Sequence, residues 1–112
     1  MSMKPILLCL AATGAFWGAA AHAQDAAAAK ALATKNACLA CHAVDKKMVG
    51  PSYNDVAAKH KGQAGALEAV AARIKSGGSG MYGPVPMPPQ PNLKDDELKL
   101  LAGWILAGAP DK

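Results

Sequence analysis

Large side chains are scarce in this sequence. Its 112 residues hold one Phe, two Trp and two Tyr, and much of the apolar remainder is alanine, which buries little area per residue. An interior so thin needs a staple such as a metal, a disulfide or a cofactor. Cysteine is scarce as well, with three residues at 9, 38 and 41. A structural zinc site wants four compact ligands and a thioredoxin-like dithiol wants a βαβ context; neither pattern is present. No stretch alternates with period two, so there is no β pattern, and there is no internal repeat. Twelve Lys and Arg against eight Asp and Glu leave a net charge of +4, too little to predict strong attraction to nucleic acid.

The N-terminus reads as an address. Lys4 supplies a positive start, Ile6 to Trp17 form an apolar run broken by Thr13 and Gly14, and Ala21-His22-Ala23 is a small-residue cleavage signal. Residues 1–23 are therefore expected to be a cleaved signal peptide and residues 24–112 a single periplasmic domain. The apolar run falls short of the ~20 residues a membrane span needs, so no stable membrane insertion is expected. Cys9 and His22 leave with the leader, and no odd thiol remains.

What remains is organised around Cys38-Leu39-Ala40-Cys41-His42. In an exported chain, C-x-x-C-H reads as a covalent haem attachment site in which the cysteines add to the porphyrin and the histidine ligates its iron. Two cysteines three apart on a tight turn project from one face, so both sulfurs can meet one edge of a flat ring. A buried haem would also supply apolar surface, worth about 25 cal/mol per Å² removed from water.

Helical signals surround the motif. Asp25 is placed to cap a first helix over 26–36, built mainly of alanine with Leu32 as its large apolar residue. A short helix is expected over 53–59. Leu67, Val70, Ala71 and Ile74 fall at i, i+3, i+4 and i+7 and predict an amphipathic helix over 63–76. Asp95, Asp96 and Glu97 suit a helix start, and Leu98, Leu101, Trp104 and Ile105 make one stripe of a last helix running to about Ala107. Residues 77–91 contain five prolines and no period, so they form a loop. The fold class is all-α, with about four helices.

His42 fills one axial position of an iron, and the occupant of the other decides between electron carrier and haem enzyme or gas sensor. Val85-Pro86-Met87-Pro88-Pro89 presents a thioether on a strap stiffened by proline. Met87 is the candidate ligand, with Met48 and Met81 as competing sulfurs. His60, between Lys59 and Lys61, reads as a solvated residue, and bis-His ligation stays open as an alternative.

Cys38 to Val44, Met48-Val49-Gly50-Pro51, Ala71 to Lys75 and Tyr82 to Pro89 together resemble the short class I bacterial cytochromes c of the cytochrome c-551 type. The resemblance implies one haem c wrapped by four helices, iron held between His42 and Met87, and a monomer that carries single electrons without catalysing a reaction of its own. Family partners include nitrite reductase, terminal oxidases and the cytochrome bc complex. It further implies that the Pro51 carbonyl accepts the ring N–H of His42 and that Arg73 and Tyr82 contact a haem propionate. Leu39, Ala40, Met48, Val49, Val85 and the Met-loop prolines would frame the exposed haem edge. Tyr82 stands where such proteins often have Trp. Ala33 lies where an aromatic commonly packs the first helix on the last, so Trp104 is expected to be more isolated, and the loop residue supporting Met87 could be Gln90 or Asn92.

Overall fold

The computed structural model describes residues 17–111, with side chains from Asp25 onward. Lys4, Cys9 and most of the apolar leader lie outside the described residues. Among the described residues there are four α-helices: α1 Trp17–Lys35, α2 Tyr53–Lys59, α3 Ala66–Ser76 and α4 Asp95–Leu106, with a 3₁₀ turn over Cys38–Ala40. There is no strand among them, and a single antiparallel bridge pairs Gly78 with Met87.

The expected mature start falls inside α1, so Asp25 does not cap that helix. Residues 19–33 are mostly alanine without Gly or Pro, and nothing there stops a helix. α1 ends where Ala37 enters the left-handed region at φ 57 and redirects the chain into the turn that carries both cysteines. α2 is capped by Ser52, whose hydroxyl accepts from the Asp55 amide at 3.0 Å. α3 begins at Ala66, three residues later than the periodicity predicts. Gly62 and Gly65 take φ 76 and φ 75, left-handed values that break a helix before Ala66. At the start of α4 the Glu97 carboxylate accepts the Lys94 amide at 3.0 Å, which closes that end as its acidic first turn anticipates.

α4 is the hub. It packs against α1, α2 and α3, whereas α2 and α3 do not pack on each other. Leu98, Leu101, Ala102, Trp104 and Ile105 are buried along α4, facing Ala26, Ala29 and Ala33 of α1 and Val70, Ala71 and Ile74 of α3. Trp104 is not isolated. Its ring meets Tyr53 of α2 edge-on at 5.4 Å, and its Nε1 donates to the Pro110 carbonyl at 2.9 Å. The alanine face of α1 lies flat on α4, so the aromatic partner comes from α2 instead. With α2 and α3 held apart on one hub, the space between them becomes a cleft.

Candidate functional site

The cleft encloses about 530 Å³, within the range of small-molecule and cofactor sites. Cys38, Cys41, His42, Pro51, Arg73, Tyr82 and Met87 all line it. Residues separated by up to 49 positions in the chain are thereby brought to one wall or the other of a single cavity.

The histidine wall is closely braced. The 3₁₀ turn places Cys38 and Cys41 one turn apart, both half-buried free thiols. The His42 amide bonds back to the Cys38 carbonyl at 3.0 Å. His42 Nδ1 lies 2.8 Å from the Pro51 carbonyl oxygen. A carbonyl only accepts, so Nδ1 is the donor, and in the neutral ring the lone pair is left on Nε2. Behind the ring stands Gly50, where any Cβ would fall 2.7 Å from Nδ1 and 3.0 Å from Nε2. Tyr53 stacks on the imidazole at 5.4 Å with an interplanar angle of 20°. Burial pushes the Cys38 thiol above its ordinary pKa, its own backbone hydrogen bond pulls the other way, and Cys41 adds a smaller upward push. Burial likewise raises the Tyr53 phenol strongly, with Cys38 a lesser cause.

The methionine wall is a loop with fewer ties. Met87 donates its amide to Gly78 at 2.9 Å and accepts the Gly78 amide at 3.0 Å. Gly77, at φ +64, lets this loop pass so close that a Cβ would strike the Met87 carbonyl and sit 2.8 Å from Pro89 N. Arg73 Nη1 donates to the Gly77 carbonyl at 3.2 Å. Tyr82 lines the same cavity, and its hydroxyl is buried without a protein partner. Burial raises the Tyr82 pKa; nearby Arg73 opposes this and Asp55 adds to it. The Gln90 amide bonds to the carbonyls of Ile74 and Lys75 at 3.2 and 3.1 Å, and neither Gln90 nor Asn92 lines the cleft.

The competing sulfurs are placed differently. Met48 is 45% exposed and Met81 44% exposed; Met81 reaches the cleft lining, but Met48 does not. The sequence reading of His60 as a solvated residue is overturned. It is 8% exposed and lines the cleft, and its Nδ1 has no hydrogen-bond partner. Tyr53, Val56 and His60 fall at i, i+3 and i+7, one helical face turned toward the core, a signal masked by the lysines on either side. Gly50 and Tyr53 join the site through their contacts with the His42 ring, which no local sequence pattern signals.

The donor set fits a covalently attached haem. Two free thiols one turn apart, an imidazole with its outer nitrogen unencumbered, a thioether on the facing wall and an orphaned phenol surround one largely apolar cleft. No group of three or more His, Cys, Asp or Glu among the described residues could hold a metal ion.

Comparison with known proteins agrees. The sequence profile of the cytochrome c family matches residues 26–109. The chain is 51% identical to cytochrome c-551 of Pseudomonas aeruginosa over 106 residues, covering 94% of this chain and 98% of that protein. It is 47% identical to cytochrome c-551 of Stutzerimonas stutzeri over the same length. Among solved structures, Nitrosomonas europaea cytochrome c552 superposes with a TM-score of 0.68 at 47% identity, covering 70% of this chain and 98% of that one.

Proposed function

Given that this chain belongs to the class I cytochromes c of the cytochrome c-551 type, and is thus an electron carrier rather than an enzyme, we propose that it is a periplasmic monomer with one haem c, attached through Cys38 and Cys41 and ligated by His42 and Met87. The bound haem supplies a one-electron iron couple. The observation that carries the reading is the free Nε2 of His42, fixed by the Pro51 carbonyl on its far side, in the same cleft as two thiols and a thioether.

The chain's own residues then do three things. Pro51, Gly50 and Tyr53 hold the imidazole in one orientation and one tautomer, which raises its basicity toward a metal. Met87 would offer a haem iron a soft sulfur, which favours the reduced metal, and with both His42 and Met87 bound there would be no open site for peroxide or O₂. Arg73 and the unpartnered Tyr82 hydroxyl are the groups suited to haem propionates. Val49 and Val85 line the cleft and are exposed, and Leu39, between the two cysteines, is exposed as well. These apolar side chains, with Lys47 in the same lining and Lys46 next to it in sequence, suit brief docking with acidic redox partners such as nitrite reductase, a terminal oxidase or the cytochrome bc complex.

Export is part of the same proposal. Haem attachment to C-x-x-C-H goes with an exported chain, and the leader has the charge, apolar run and cleavage signal of a secretory peptide. The alignment with the P. aeruginosa protein spans 106 residues, more than residues 24–112 contain, so part of the leader has a counterpart there. Among the described residues no helix is long and apolar enough to cross a membrane.

Mass spectrometry of the purified exported protein tests attachment and cleavage together: residues 24–112 plus one haem is the expected mass. Met87→Ala should abolish the far-red ferric band of thioether ligation and open the iron to added imidazole. A far-red band that survives Met87→Ala would move the sixth ligand to another sulfur, and a wild type that lacks the band would point to His60.

A further inference from the structure

Among the described residues one hydrogen bond joins the two walls of the cleft. Every other backbone and side-chain hydrogen bond of residues 36–64 among the described residues stays within the histidine wall, its own helix or the end of α1, and those of residues 65–93 stay within α3 and its loop. Lys59 is the exception. From the last turn of α2 its ammonium crosses to donate to the Met81 carbonyl at 2.8 Å, and the same nitrogen stands 4.7 Å above the centre of the Tyr82 ring. α2 and α3 do not pack on each other, so this one side chain spans a gap that the helices leave open.

The position of the contact matters more than its strength. Met81 and Tyr82 sit at the outer turn of the loop, where the Gly80 amide bonds to the Gly83 carbonyl at 2.8 Å. Behind them the loop is secured near its two ends, by the Gly78–Met87 pair and by Gln90 on the end of α3. Between those ties residues 79–86 make no other hydrogen bond to the rest of the described residues. Lys59 therefore holds the free part of the strap that precedes Met87.

We propose that Lys59 is a latch across the haem cleft, a positioning residue that keeps the Met87 loop closed and sets how readily an external ligand displaces the thioether. This rests on the ligation proposed above. An ammonium suits the task because it donates to a carbonyl and sits over a ring face at once. Arginine can do the same, but a neutral side chain of similar length cannot. Swinging Lys59 away would free the 79–86 segment without breaking the Gly78–Met87 pair, so opening would be local and α4 would stay packed.

The test uses the haem-loaded protein with two variants, Lys59→Met, which keeps the apolar stem, and Lys59→Arg, which keeps the cation. Imidazole added to the ferric protein should displace the thioether about fivefold faster in Lys59→Met, as expected for losing one exposed cation–ring contact with its hydrogen bond. Lys59→Arg should restore most of the difference. Amide hydrogen exchange supplies a second readout that does not depend on how the iron is ligated. Exchange at Gly80 should quicken by a similar factor in Lys59→Met, while Gly78 and Met87 keep their protection. Equal imidazole rates in wild type and Lys59→Met, no rescue by arginine, or faster exchange spread evenly over the molecule would each overturn the latch. Loss of thioether ligation in the wild type would instead overturn the ligand assignment and leave the exchange result to decide the latch.

Discussion

The wall that carries His42 and the wall that carries Met87 do comparable jobs by different means. His42 is held on three sides by near neighbours in sequence: Pro51 bonds one nitrogen, Gly50 lets the backbone lie against the ring, and Tyr53 stacks on its face. Met87 sits on a strap whose stiffness comes from proline, fastened near its ends by the Gly78–Met87 pair and by Gln90, and reached by one lysine from the far wall. The first arrangement is redundant and local. The second depends on a few contacts of long range, so it is the side from which the cleft should open.

The largest effect should come from attacking the redundant side at the point where it has no slack. In Gly50→Ala the new methyl would overlap the imidazole, and the ring cannot retreat because Tyr53 and Pro51 fix it. Overpacking of that kind is expected to cost about 3 kcal/mol, read as a lower thermal midpoint together with partial loss of bound haem. An unperturbed midpoint would mean that the imidazole is far freer than its neighbours imply.

On the other wall, Gly77→Ala should come next. Alanine at φ +64 is strained, and its methyl would strike the Met87 carbonyl, for a cost of about 2 kcal/mol. The distinguishing measurement is which property fails first. Gly77→Ala should weaken thioether ligation, seen as a fading far-red ferric band, before it lowers the unfolding midpoint, whereas Gly50→Ala should lower both together. If the two variants behave alike, the walls are not independent.

The same contrast explains what could be read from the sequence. Patterns confined to one helix or one turn were legible: the attachment motif, the buried faces of α3 and α4, and the acidic start of α4 all rest on spacing within a few residues. The close approach of Gly50 to His42 and of Gly77 to Met87 was not, because glycine in a sequence shows a possible turn and not what passes beside it. His60 was misread for a related reason. Its neighbours Lys59 and Lys61 are polar, but its register with Tyr53 and Val56 turns it inward. Nothing in the local pattern singles out Lys59, because its partners lie 22 and 23 positions away. The exposed ion pair between Lys30 and Asp111 at 2.7 Å shows how little such a contact announces itself, although there the energetic return is small.

The smallest effect at neutral pH should come from Tyr82→Phe, and it sharpens the comparison by its pH dependence. The Tyr82 hydroxyl is buried without a protein partner, and burial, partly offset by Arg73, raises its pKa. A phenol whose folded pKa is raised holds its proton more tightly in the folded state. Its contribution to stability is therefore intact below the ordinary tyrosine value of about 10 and is lost as pH rises from there toward the folded value. Phenylalanine has no proton to lose. Thermal midpoints of wild type and Tyr82→Phe should thus stay parallel to about pH 9 and diverge above it, with the wild type falling faster. Tyr53, also raised by burial, accounts for the descent that both proteins share. Because Tyr82 belongs to the strap, the divergence should be accompanied by earlier alkaline loss of thioether ligation in the wild type. Curves that remain parallel through the whole alkaline range would show that the Tyr82 phenol is open to water, and that the strap is looser at its tip than Lys59 would allow.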